Sequence, residues 1–154
     1  MGVEIERKFL VTNDAWRALG TPALLRQGYL STDPARTVRV RIENGQGVLT
    51  IKGKSSGATR GEWEYPIPEI DAAELLDTLC GTPLVEKFRT RVTIGNHVWE
   101  VDEFLGANQG LLVAEIELTA EDELFLLPDW VGMEVTGEAR YYNSRLIELP
   151  FSQW

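Results

Sequence analysis

Charged side chains occupy every second position in the first segment of this sequence. Within Val3–Val11, Glu4, Glu6 and Lys8 alternate with a set that is apolar apart from Arg7. Successive side chains of a β-strand point to opposite faces. The segment therefore predicts a strand with one charged face and one apolar face.

The same alternation returns in most later segments, and in both charge signs. The bases in phase are Arg39, Arg41, Lys52, Lys54, Lys87, Arg89 and Arg91, and the carboxylates in phase are Glu62, Glu64, Glu100, Asp102, Glu115 and Glu117. Residues two apart on a strand lie about 6.6 Å apart along it. Each pair can therefore make two contacts along an extended ligand.

Carboxylates and bases in one enclosed space indicate a phosphate chain that carries a divalent metal. Mg²⁺ binds one or two carboxylates together with substrate phosphates. Arginine grips phosphate oxygens with two parallel hydrogen bonds, and lysine acts as a point charge. Phosphoryl transfer needs mainly positioning and charge neutralisation, which such groups supply.

A structural alternative exists for each segment alone. One alternating strand is ordinarily a sheet face in contact with water, and exposed Glu–Lys pairs across strands need no ligand. Repetition over about six strands favours a site. Runs of one sign such as Lys87, Arg89 and Arg91 favour it further, because like charges that lie side by side destabilise a sheet.

The remaining patterns predict the elements that position these residues. Asn44-Gly45 indicates a tight hairpin. The expected helices are Ala15–Leu19, Asp71–Cys80, Thr119 to about Leu127, and Ala139–Leu149. About eight strands with short connections predict an α+β fold, a closed eight-stranded antiparallel β-barrel with helices packed on its outer apolar faces. Eight strands enclose a bore that side chains fill or that holds one small ligand.

Composition narrows the class of protein. The length of 154 residues predicts a single domain, residues 1–154. The net charge of −9 argues against a nucleic-acid partner. We see no signal peptide and no apolar run near the roughly 18 residues of a membrane helix, and Cys80 is the one cysteine, so we expect a cytoplasmic protein without a membrane partner. Exposed Phe151 and Trp154 would favour a homodimer contact.

The ordered series that opens with Glu4-x-Glu6-x-Lys8 resembles the CYTH superfamily, the triphosphate tunnel metalloenzymes, along nearly the whole chain. The segments 25–30 and 140–143 are similar to the small bacterial members. The resemblance implies an eight-stranded antiparallel tunnel and metal-dependent chemistry on a triphosphate. For members of this size it implies an inorganic triphosphatase, which converts tripolyphosphate to pyrophosphate and phosphate.

The resemblance also implies residue roles. The metal would be held by Glu4, Glu6 and Glu117, with Glu115 and Asp102 beside them. Phosphates would be bound by Arg39, Arg41, Lys52, Lys87, Arg89 and Arg140, with Lys54 and Arg91 at strand ends. Lys8 and Tyr29 would form a catalytic polar pair at the reacting phosphate, joined in the catalytic set by Glu4 and Glu6, and Glu62 and Glu64 would line the tunnel.

Several alternatives stay open at the level of the sequence. Within the same family, the chain could be a nucleoside triphosphatase or an adenylate cyclase. A non-catalytic sensor of polyphosphate or triphosphate is the alternative from another class, although so many carboxylates oppose a pure anion binder. We expect Mg²⁺ as the cofactor, with Mn²⁺ as the alternative. Water would be the nucleophile, and its general base stays open between the metal, a tunnel glutamate and the Lys8–Tyr29 pair.

Overall fold

The computed structural model describes residues 2–154, in which nine strands and two α-helices are formed. The strands are β1 (Val3–Val11), β2 (Pro22–Ser31), β3 (Arg36–Glu43), β4 (Gln46–Gly53), β5 (Thr59–Ile67), β6 (Val85–Ile94), β7 (His97–Phe104), β8 (Leu112–Leu118) and β9 (Val131–Glu134). The helices are α1 (Glu69–Thr78) and α2 (Asn143–Glu148). Neither helix is long and apolar enough to cross a membrane.

Eight strands close into a barrel in which each pair of neighbours is antiparallel. The order around the barrel is β1, β5, β4, β3, β2, β6, β7, β8 and back to β1, and β9 adds to β1 outside this ring. The β3–β4 hairpin turns at Asn44 and Gly45, with φ of 51° and 74°, which is the backbone that a two-residue type I′ turn requires. The predicted antiparallel barrel is thus confirmed.

The apolar faces of the strands point outward, as the alternation requires if the charged faces line the bore. Helix α1 covers β3 and β4, where Ala72 and Leu76 pack on Val40. On the opposite side, Phe9 of β1 and Trp99 of β7 belong to a second buried cluster. Because the strands close on one another, the charged side chains are enclosed in the bore, while the outer face is covered by these two clusters and stays exposed at positions such as Tyr65.

The predicted helix from Thr119 to Leu127 is wrong, because this segment is irregular. Its aromatic side chain Phe125 reaches the second outer cluster, with its ring 5.8 Å from that of Trp99. Residues that precede proline are driven out of the helical region, and Pro128 imposes this on Leu127. A short extended segment therefore covers the barrel where a helix was expected.

The predicted C-terminal helix Ala139–Leu149 is divided into two parts. Residues Ala139–Tyr141 form a single 3₁₀ turn, and α2 begins after Tyr142, whose φ and ψ of −69° and 132° are extended. The predicted Ala15–Leu19 helix is also of the 3₁₀ type. The break at Tyr142 redirects the chain so that the following residues meet the end of the barrel.

One end of the bore is filled by apolar side chains. Val85, Phe104 and Val113 continue the inward-facing rows of β6, β7 and β8, and they pack with Tyr141 and Leu146 of the C-terminal segment. We call these five residues the tunnel floor. The charged part of the bore ends where the floor begins.

Glu123 fixes the irregular segment to the barrel. One carboxylate oxygen accepts hydrogen bonds from the backbone N–H of Thr119 at 2.7 Å and from the Thr119 hydroxyl, and the other contacts His97 Nε2. The hydrogen bonds from Thr119 and the contact with His97 lower the pKa of Glu123 from 4.5 to about 2. The folded state therefore prefers the ionised carboxylate.

Replacing Glu123 with Gln should destabilise the protein near neutral pH. Because the pKa of Glu123 is depressed in the folded state, its contribution is present above about pH 4.5 and is lost as the pH falls toward 2. Urea unfolding at pH 7 and at pH 3 should show a smaller gap between wild type and variant at pH 3. The exposed Glu74→Gln on α1 is the control, and a gap independent of pH would contradict this role.

Candidate active site in the barrel tunnel

The charged rows converge on two connected cavities inside the barrel. The inner cavity is lined by Glu6, Lys8, Tyr29, Thr37, Arg39, Thr50, Lys52, Arg60, Lys87, Arg89, Glu115, Tyr142, Asn143 and Ser144. The outer cavity is lined by Glu4, Glu6, Arg39, Arg41, Lys52, Glu62, Glu64, Arg89, Arg91, Glu100, Glu115 and Glu117. Five residues belong to both, so the two form one continuous tunnel.

The balance of charge reverses along this tunnel. Six cationic and two acidic side chains line the inner cavity, whereas seven acidic and five cationic side chains line the outer one. An anion is therefore favoured at the inner end and a cation toward the outer end. A phosphate chain with a divalent cation has this distribution of charge.

Asp102 fixes two inner bases from a buried position beneath them, on the inward-facing row of β7. It is fully buried and accepts two hydrogen bonds from Arg89, at 2.7 and 2.9 Å. It also forms an ion pair with Lys87, whose Nζ lies 2.7 Å from Oδ2. Burial alone would raise the pKa of Asp102, but the charges of Arg89 and Lys87 lower it. Asp102 is absent from the lining of both cavities, so its geometry is that of an anchor for the two bases.

Burial lowers the pKa of Lys87 to about 8 in spite of the Asp102 charge. The ammonium group is thus still protonated at neutral pH, but its positive charge is held at a cost in free energy. An anion in the inner cavity would reduce that cost. Lys87 is therefore prepared to bind a ligand of negative charge.

Lys8 and Tyr29 both line the inner cavity, as predicted, but each has its own partners. Lys8 Nζ lies 3.5 Å from Glu115 and donates to the Tyr141 carbonyl at 3.3 Å. The Tyr29 hydroxyl lies 3.5 Å from Gln27 Nε2. Burial would lower the pKa of Lys8, but Glu115 and Glu6 raise it, so the ammonium charge persists.

Glu4 is engaged by two bases across the β1–β5 seam. Lys52 Nζ donates to both of its oxygens at 3.1 Å, and Arg60 Nε donates at 3.3 Å. Burial would raise the pKa of Glu4, but these cations lower it to about 2. The neighbouring Glu62 is different, because burial and the contact with Glu4 raise its pKa to about 7.

Glu6 and Glu117 form the uncompensated part of the carboxylate set. Among the ion pairs of residues 2–154, none includes either side chain. Burial and the charges of Glu115 and Glu4 raise the pKa of Glu6 well above its usual range, and burial and the charge of Glu4 raise that of Glu117. A cation at this position would relieve the excess of negative charge.

The carboxylates fit a hard divalent cation by their chemistry. Such a cation takes carboxylate oxygens and keeps several waters, and Glu6, Glu117, Glu4 and Glu115 all line the outer cavity. Within residues 2–154, no three potential ligands already converge as a finished metal site. A bound cation would therefore compete with Lys52 for Glu4.

Arg39 and Arg41 face the tunnel with donors that the protein leaves unused. The buried Nε of each has no hydrogen-bond partner in the described chain. Their nearest carboxylate, Glu64, lies 3.9 and 4.0 Å away. Burial, together with the charges of Arg39 and Arg89, lowers the pKa of Arg41 to about 10. Buried donors of this kind are costly unless a ligand meets them.

Three bases of the predicted set lie apart from the main group. Lys54 is exposed beyond the end of β4. Arg140 is exposed and lies over the ring of Trp154, with its guanidinium carbon 4.5 Å from the ring centroid. Arg91 lines the outer cavity but is half exposed and bound to Glu43 at 2.6 Å.

Sequence patterns missed several residues of the inner cavity. These are Thr37, Thr50, Arg60, Tyr142, Asn143 and Ser144. Arg60 does carry the alternation signal, because it lies two residues before Glu62 on β5. The signal is hidden because β5 already begins at Thr59, inside a stretch rich in Gly and Ser that is typical of a loop. Residues 142–144 gave no such signal, since their position depends on the break between two short helices.

An enclosed bore with unsatisfied guanidinium groups and uncompensated carboxylates is typical of a protein that binds a polyanion together with a cation. This chain matches the CYTH domain over residues 2–144, and it belongs to that family. The resemblance found in its charged motifs is thereby confirmed.

Relatives named inorganic triphosphatases match over nearly the full length. The chain is 49% identical over 154 residues to an inorganic triphosphatase of Acetivibrio thermocellus, with 100% of this chain and 99% of the relative covered. It is 36% identical over 149 residues to an inorganic triphosphatase of Nitrosomonas europaea, with 93% and 95% covered. A crystal structure of an inorganic triphosphatase superposes with a TM-score of 0.65 at 33% identity, covering 96% and 95% of the two chains.

Replacing Asp102 with Asn should strongly destabilise the protein. The substitution removes a fully buried carboxylate from two bases, and breaking a buried pair in this way costs about 3–5 kcal/mol of unfolding free energy. Urea unfolding of the ligand-free protein measures the loss. Added tripolyphosphate should restore part of it, because the anion would replace the missing negative charge.

The matched control is Asp77→Asn, since Asp77 lies on the exposed side of α1. This change should leave the unfolding free energy within about 0.5 kcal/mol of wild type. A comparable loss in both variants would contradict the anchoring role of Asp102.

Proposed function

We propose that this protein hydrolyses inorganic tripolyphosphate to pyrophosphate and phosphate inside the tunnel, with the help of a divalent metal ion. The observation that supports this most directly is the incomplete charge pairing of the bore. Buried arginine donors remain unused beside carboxylates that lack cations. A metal-bearing triphosphate supplies both missing partners at once.

The inner cavity supplies the groups that would bind the phosphates. Arg39, Lys52, Lys87 and Arg89 line it from three strands, β3, β4 and β6, so an extended phosphate chain would be gripped from several sides. Strands fix these bases more firmly than loops would, which favours the reacting geometry. Lys8 and Tyr29 would contact the phosphate that reacts with water.

The lining of the outer cavity favours an inorganic substrate over a nucleotide. Every residue that lines it is charged, so it offers no apolar or aromatic surface on which a base could stack. The relatives named as inorganic triphosphatases support the same choice. The proposed activity is that of a phosphoanhydride hydrolase that recognises its substrate by the phosphate chain and its charge.

For the metal we propose Mg²⁺, held by Glu6 and Glu117 with Glu4 and Glu115 beside them. Hard oxygen ligands and a phosphate substrate are the setting that Mg²⁺ prefers. When bound, the ion would neutralise phosphate charge and orient the attacking water. The cationic residues of the chain bind and orient the substrate, and the closed bore restricts bulk water.

Phosphate release tests this function directly. With Mg²⁺, we expect fast release from tripolyphosphate, slow release from ATP and almost none from pyrophosphate, and a chelator should abolish it. Analysis of the ATP reaction for a cyclic product tests the cyclase alternative. Tight binding of tripolyphosphate without release from any substrate would identify a sensor instead.

Replacing Glu6 with Ala should abolish turnover while anion binding remains measurable. Glu6 belongs to both cavities and has no cationic partner in the described chain, so its removal weakens metal binding without freeing a buried base. We expect kcat to fall at least about 100-fold, the loss seen when one important electrostatic group is removed.

Glu74→Gln on the outer face of α1 is the control and should keep full activity, because Glu74 is exposed and distant from the tunnel lining. Titration calorimetry with tripolyphosphate in chelator reports anion binding separately from turnover. Unchanged kcat in Glu6→Ala would overturn the metal assignment.

A further inference from the structure

The start of α2 places a polar side chain at the inner end of the tunnel. After the extended Tyr142, Asn143 and Ser144 line the inner cavity beside the lysines. The inward-facing rows turn apolar at this depth, where Phe104 and Val113 belong to the tunnel floor. A phosphate chain that filled the bore to this depth would end next to Asn143.

Hydrogen bonds fix which end of the Asn143 amide faces the cavity. Its Oδ1 accepts from Lys87 Nζ at 2.8 Å and from Gln27 Nε2 at 3.0 Å. An ammonium group only donates, so the atom that meets Lys87 must be the oxygen. The amide nitrogen, with two N–H donors, is therefore the end that is left for the tunnel.

The orientation of the Asn143 amide leaves a polar atom of Gln27 without a hydrogen-bond partner. Gln27 is fully buried, and because its nitrogen donates to Asn143, its own Oε1 has no partner in residues 2–154. A buried carbonyl without a partner is uncommon. The two contacts to Oδ1 also polarise the amide, which makes its N–H groups better donors.

We propose that Asn143 is a substrate-binding residue, whose Nδ2 donates a hydrogen bond to an oxygen of the innermost phosphate. This inference rests on the proposed triphosphatase function and extends it. Asn143 adds a neutral, directional donor beside the cationic side chains of the inner cavity. In the C-terminal segment it occupies the place that sequence reasoning gave to Arg140, whose side chain lies over Trp154 outside the tunnel lining.

Two variants separate this role from a structural one. Asn143→Asp keeps an oxygen for Lys87 and Gln27 but replaces the donor with an acceptor. Asn143→Ser replaces the amide with a shorter hydroxyl, which withdraws the donor from the tunnel without adding charge. A loss of binding in the Asp variant is therefore not due to a displaced Lys87, and a loss in the Ser variant is not due to repulsion.

Titration calorimetry with a methylene-bridged triphosphate analogue and Mg²⁺ gives the binding constant without turnover. A hydrogen bond to a charged group corresponds to a Kd that is about 10- to 100-fold weaker when the bond is lost. We expect this loss in both variants, together with a higher KM for tripolyphosphate. Asn96→Asp, in the exposed β6–β7 turn, adds the same charge outside the tunnel lining and should bind as wild type does.

The outcomes are distinct. A Kd within twofold of wild type in either variant overturns the inference while the proposed function stands. If the Ser variant does not fold, the Asp variant alone decides, with its thermal midpoint near that of wild type as the required control. Failure of the wild type itself to bind the analogue and to hydrolyse tripolyphosphate removes both proposals together.

Discussion

The structure depends on one constraint, which is that charges buried inside a closed barrel must be compensated there. The bore is narrow and largely enclosed, so the ionised groups buried in it need opposite charges or hydrogen bonds. Asp102 meets this need for Lys87 and Arg89, and Glu4 meets it for Lys52 and Arg60. The apolar clusters on the outside of the barrel supply stability that offsets the free-energy cost of burying these charges.

In the middle of the tunnel the charged groups are only partly paired with one another, and this part could bind a ligand. The arginines of β3 keep unused donors, and Glu6 and Glu117 have no base as an ion-pair partner in residues 2–154, so their pKa values are raised. A ligand would supply the partners that these four residues lack, and it would also contact bases that Asp102 and Glu4 already hold in place. Whether a charged residue anchors others or awaits a ligand therefore depends on its partners and does not follow from residue type.

Alternation in the sequence predicted the barrel, the inward-facing charges and the hairpin at Asn44 because these depend on local periodicity. It could not predict the irregular segment after Thr119 or the break at Tyr142, which depend on how the chain meets the finished barrel. For the same reason Asn143 was overlooked and Arg140 preferred. Asp102 shows a further limit, since phase alone does not distinguish an inward-facing carboxylate that lines a cavity from one that is covered by neighbouring bases.

The seam between β1 and β5 has a consequence for how the protein is made. Only three residue pairs join these strands, and one of them is Glu4 with Arg60. The other neighbours of β1 are β8 and β9, more than a hundred residues further along the chain. The strand that carries Glu4, Glu6 and Lys8 is thus synthesised first and secured last. The barrel cannot close until β8 has left the ribosome, and until then the cations of β3, β4 and β6 are not yet enclosed in a tunnel.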